Sequence, residues 1–202
     1  TYAQDHPELQ STIASGDREW DARERLDAAA EGPWSEDDFP AVAAWLEAMD
    51  KPLALAVEAS RRTRYYNPWV APTPQDSVLD ATFTSFNRVG RMAEALAARA
   101  MRKLDSGDVL GAREDLLANY RLARLIGQSL ILVDRLIMVV AEAEASRAVI
   151  GAATSGKLSA KQARDLLAEL QKLAPLPDIA ECIDRCERVC MLEYAALFSR
   201  GS

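Results

Sequence analysis

Ala100-Met-Arg-Lys-Leu-Asp-Ser-Gly-Asp-Val-Leu-Gly-Ala112 is the stretch that decides the fold. Ser106-Gly107-Asp108 reads as a turn between two helices, because Gly accepts the left-handed conformation of a helix end and Asp caps the next helix. Upstream, Leu79, Phe83, Phe86, Val89, Ala93, Leu96, Ala100 and Leu104 recur in steps of three and four, the period of one helix face. Downstream, Val109, Ala112, Leu116, Tyr120 and Ala123 repeat that pattern, and the second helix ends near Gly127. The spacing predicts a hairpin of helices over 91–105 and 109–126, with Ala100 and Ala112 at the crossing, where small side chains let the backbones approach.

The same period runs outward in both directions. Residues 8–31 read as a helix carrying Leu9, Ile13, Trp20 and Leu26, with Gly16-Asp17 as a point of interruption. Ser35-Glu-Asp-Asp38 reads as a capped helix start, followed by Val42, Trp45, Leu46 and Met49, and Lys51-Pro52 divides that helix from the next, which carries Leu53, Ala56, Val57 and Ser60. Residues 130–153 form a further helix. Its first half is apolar apart from Asp134 and Arg135, which predicts a central, buried element. Ser159 and Gln162 make a capping box that opens a helix to Leu173, Pro175 and Pro177 stop it, and Asp178 opens a last helix to about Phe198. Of the 202 residues, 36 are Ala and 24 Leu, against 25 for Val, Ile and Thr together. The expected class is all-α: an irregular bundle or tetratricopeptide-like array of about eight helices, one domain overall, as acidic helices over 1–60 packing on the rest, a Pro/aromatic loop over 61–77 and a helical core over 78–202.

Charge and composition exclude several functions. Residues 1–60 hold 14 acidic and 4 basic side chains, a net of −10, while 61–202 net +3. Neither part carries the basic stripe that nucleic acid requires. The imbalance reads as solvated faces, with docking of the acidic part on the rest as the alternative. No run of 18 apolar residues exists, so no membrane-spanning segment is expected. The lone His6 rules out His-based metal sites and internal His general bases, and no Gly-rich phosphate loop or nucleophile-elbow motif is present. A chain beginning at Thr1 reads as processed or trimmed, with any targeting segment upstream of it.

Three constellations invite a chemical reading. Cys182, Cys186 and Cys190 recur every four residues, but eight helical residues span about 12 Å, too far for one ion to take all three, so the expected buried face is Ile179, Ile183, Cys186, Cys190 and Tyr194, with Cys as a small apolar residue. Redox use of the three stays open. Asp134-Arg135 point about 100° apart, so at most one is expected to face inward, lining a cavity; the alternatives are that both lie on the single wet edge of that helix, or that Asp134 meets an Arg such as Arg121 or Arg124. Glu142, Glu144, Glu181, Asp184, Glu187 and Glu193 read as exposed acids balancing Arg and Lys. No catalytic residue, metal or cofactor is assigned.

The most unusual composition is Arg61–Val70, where Arg61, Arg62, Arg64, Tyr65, Tyr66 and Trp69 form the candidate binding set. Arg and aromatic side chains dominate binding hot spots, and the three prolines at 68, 72 and 74 stiffen the chain around them. The competing reading is that the rings staple the loop to the core.

Arg99–Leu122 resembles a tetratricopeptide-type helix–turn–helix, with Ala100 and Ala112 in the small positions and Leu116 in the large one; Arg99, Lys103, Asn119 and Arg124 depart from it. A second partial match, Ile150, Gly151, Ala163, Leu167 and Pro175, lies 51 residues on, whereas the usual repeat is about 34. More widely, Lys51-Pro-Leu-Ala-Leu55, Glu58-Ala-Ser-Arg-Arg62, Arg64-Tyr-Tyr66, Ala98-Arg-Ala-Met101, Ser106-Gly-Asp108 and Arg121-Leu-Ala-Arg124 resemble an uncharacterised all-helical family of envelope-associated proteins from planctomycete-type bacteria. That resemblance implies an extracytoplasmic or membrane-anchored setting and no reaction. The residues point first to a non-catalytic module that binds a protein or peptide. A small-ligand domain with its site near 61–70 is the alternative, and an enzyme of unknown class comes third.

Overall fold

Alanine places the centre of the molecule. In the helix Phe86–Asp105, residues Ala93, Ala95, Ala97, Ala98 and Ala100 are buried on all sides together with Leu96, Met101 and Leu104. A helix with so little side-chain bulk can be approached closely by several neighbours at once. The computed structural model describes residues 16–66, 86–129, 132–188, 191, 192, 195 and 199. Its helices are α1 (Gly16–Glu31), α2 (Pro40–Ala48), α3 (Asp50–Ala59), α4 (Phe86–Asp105), α5 (Val109–Ile126), α6 (Leu132–Thr154), α7 (Ala160–Gln171) and α8 (Ile179–Cys182), the last running into a π-helical turn, Ile183–Glu187. No strand occurs among the described residues. Helices α1, α5 and α6 surround α4, and the whole is an irregular all-α bundle.

The α4–α5 hairpin forms as its sequence predicts. Gly107 adopts φ +84°, the Asp108 N–H donates to Lys103 O at 2.8 Å, and the Asp108 carboxylate caps α5 by accepting from Gly111 N at 2.9 Å. Ala100 and Ala112 are both fully buried at the crossing. The Ser159 capping box opens α7, and Asp178 caps α8. Trp34 locks the α1–α2 connection onto the centre: its indole N–H donates to Ala98 O at 3.0 Å, and Phe39 meets its ring edge-on. Gly151 lets α1 end against α6, since a Cβ there would fall 2.1 Å from Glu31 O. Acids of the first sixty residues reach the basic side of α4: Glu36 and Glu47 both bind Arg102, and Asp50 lies 3.4 Å from Arg99.

Several expectations are corrected. The helix expected from residue 8 is described from Gly16; 8–15 lie outside the described residues. Ser35 does not cap a helix. Its N–H and Oγ–H both donate to Asp38 at 2.8 Å, which closes a local turn, and α2 starts at Pro40, whose missing N–H costs nothing there. The first half of α6 is not uniformly buried: Leu136, Val139 and Val140 are 50%, 43% and 53% exposed. Asp134 and Arg135 are both buried instead, because α6 is covered over an arc wide enough to take two side chains about 100° apart. On α8 the buried residue is Cys182, while Ile179 and, in the π-helical turn, Ile183 are exposed; the Cys186 side chain, Cys190 and Tyr194 lie outside the described residues. The second motif-like segment does not pack as a hairpin. Ile150 and Leu167 are exposed, and α7 seats Leu166 beside Leu104, Val109, Leu116 and Leu158.

Candidate functional site

The residues 61–66 leave α3 and run to the corner between α5 and α6. One side chain holds them there. Gln128 Oε1 accepts from the Tyr65 N–H at 2.9 Å, and Gln128 Nε2 donates to Thr63 O at 3.1 Å. This pair mimics a strand contact and fixes the backbone without using the aromatic rings.

The predicted binding set divides. Arg61 pairs with Glu114 on α5, and Arg62 with Glu58 one turn back at 3.1 Å, both in solvent. Arg64 is exposed and has no ion-pair partner among the described residues. Tyr66 is 85% exposed. Tyr65 is half-buried, and burial first, then the charge of Asp134, pushes its phenol above the usual range. Trp69 lies outside the described residues, as do residues 67–77 of the predicted loop. The bundle thus brings together Arg64, Tyr65 and Tyr66, and it takes Arg61 and Arg62 into surface pairs.

Beneath this segment lies the first turn of α6. Arg135 Nε donates to Ser129 O at 2.9 Å, but Arg135 Nη1 and Asp134 Oδ2 are buried without a hydrogen-bond partner among the described residues. Asp134 does not meet Arg121 or Arg124. Arg124 is taken by Glu142 at 2.7 Å and by Ala174 O at 2.7 Å. Buried polar groups are satisfied in nine cases out of ten or more, at about 1–3 kcal/mol for each omission.

Sequence reasoning missed Gln128, which has no local signature: its role exists only once α5 stops beside residues 63–65. It also missed the polar interior of the hairpin. Asp115 is buried between Arg99, which binds both its oxygens at 2.8 and 2.9 Å, and Lys103 at 2.8 Å, and the Asn119 amide donates to Ala93 O at 2.9 Å. The signal was present. Arg99, Lys103 and Asn119 are departures from the helix–turn–helix motif at inward positions.

A separate cleft of about 80 Å³ lies at the other end of the hairpin, lined by Leu104, Val109, Leu110, Leu158 and Leu166 with Arg113 and Asp165. None of the predicted binding residues lines it. No group of three His, Cys, Asp or Glu placed to hold a metal occurs among the described residues, and no described helix is long and apolar enough to cross a membrane. Compared with family models, with curated proteins and with solved structures, the chain matches none.

Proposed function

We propose that the chain is a non-catalytic helical module that binds a protein or peptide at the α5–α6 corner. The observation that carries this reading is the presentation of Arg64 and Tyr66: both side chains stand in solvent while Gln128 fixes the backbone between them and the bundle. A fixed backbone lowers the entropy lost on association. Arginine and tyrosine supply a forked donor and a large ring of few rotamers. The resemblance to envelope-associated proteins suggests an extracytoplasmic partner.

Selection of a displayed peptide library on the protein, followed by fluorescence-polarisation titration of the enriched peptides, tests the reading. Enriched peptides should lose at least tenfold in affinity, about 1.4 kcal/mol, on Arg64→Ala or Tyr66→Ala, with an unchanged melting temperature. No enrichment, or binding indifferent to both changes, would overturn it.

A further inference from the structure

Glu94 occupies the seam where α4 meets α1 and α6, and it is 5% exposed. Its neighbours along α4 are the buried alanines 93 and 95. Among the described residues its carboxylate has one hydrogen bond, and it is long: Arg23 Nη2 donates to Oε1 at 3.4 Å, from a side chain lying mostly in solvent. Among the described residues the charged groups around it are Arg23 and Asp27 from α1, Glu144 from α6, and Arg91 one turn back on α4. Glu144 is itself engaged by Arg147, and that guanidinium also faces Asp27 and Glu31. Loss of water is the largest influence on Glu94 and the two nearby acids reinforce it, so its carboxyl titrates above the usual range despite Arg23 and Arg91.

We propose that Glu94 is a proton-operated clamp, and that α1 docks more tightly on α4 and α6 when this carboxyl is protonated than when it is ionised. The neutral acid fits a buried seam without needing a counter-charge, and protonation gives up a long ion pair to an exposed arginine, which is worth little. The ionised acid needs solvation, and opening the α1 seam supplies it. A carboxyl whose folded value lies above its unfolded one contributes stability that is fully present below the usual value of about 4.3. That contribution is lost as pH rises through the folded value.

Amide hydrogen exchange of the intact chain from acidic to mildly alkaline pH, corrected for intrinsic rates, reads the clamp. Leu26, Ala29 and Ala30 report on α1, and Leu116–Ala118 on α5 serve as the internal reference. In the unmodified protein, α1 protection relative to α5 should fall severalfold as pH rises. Glu94→Gln mimics the protonated state, so its α1 protection should stay flat with pH, at the level the unmodified protein reaches in acid. Asp27→Asn removes one of the like charges, so the transition should move to lower pH. Relative protection that ignores pH in the unmodified protein, a Glu94→Gln chain that unfolds or exchanges faster at α1, or an Asp27→Asn transition that does not move would each overturn the proposal.

Discussion

Two sets of buried charges lie on adjacent helices and are handled in opposite ways. Asp115 on α5 has both oxygens bound, by Arg99 as a fork and by Lys103. Asp134 and Arg135 on α6 are as deeply buried, yet one oxygen and one nitrogen lack partners among the described residues. Register explains the difference. Arg99 and Lys103 stand one turn apart on α4, so both reach the same carboxylate on the next helix. Asp134 and Arg135 are sequence neighbours pointing about 100° apart, so they cannot close on each other. The first set ties the hairpin together at the centre of the bundle. The second leaves hydrogen-bonding capacity beneath the surface that presents Arg64 and Tyr66.

The contrast can be broken at its strongest point first. Asp115→Leu removes the buried carboxylate that Arg99 and Lys103 share and should destabilise the protein by about 3 kcal/mol, read by urea denaturation. A loss below 1 kcal/mol, roughly the scale of an exposed pair, would make the cluster ordinary surface chemistry. Next come the alanines at the crossing. Ala100→Leu and Ala112→Leu should each overpack it, at about 1–3 kcal/mol, and unchanged melting temperatures for both would remove the close approach of α4 and α5.

Asp134→Leu sharpens the comparison from the other side. It replaces a buried carboxylate with an unpartnered oxygen by an apolar side chain of similar size and should change stability by about 1 kcal/mol or less, in either direction. A loss equal to that of Asp115→Leu would show the two sites to be alike. Arg64→Ala and Tyr66→Ala should have the smallest effect, within about 0.5 kcal/mol. A larger loss of stability at Tyr66 would turn its ring into a staple.

Most of the architecture was legible because it is local. Gly107 with Asp108, and Ser159 with Gln162, are helix-end chemistry completed within a few residues, and Ala100 and Ala112 show the close crossing by their size. Ser35 misled for a local reason too, since Asp38 offers its hydroxyl a nearer partner than any helix N-terminus. What the sequence hid depends on neighbours. The apolar count of α6 does not say which side of the helix another element covers, so Leu136, Val139 and Val140 read as core. The candidate site was half legible. Arg64 and Tyr66 stand out by composition, whereas the capture of Arg61 by Glu114 and the hold of Gln128 on residues 63–65 arise between segments more than fifty residues apart.

Native-state hydrogen exchange across the whole chain tests the division of labour most directly. Amides of Ala95–Met101 and Leu116–Ala123 should exchange only through global unfolding, with the free energy that denaturation gives. The Tyr65 amide, held by Gln128 alone, and those of Ile137–Val140 should open locally at clearly lower free energy. Equal protection in the two regions, or a hairpin that opens before the corner does, would contradict it.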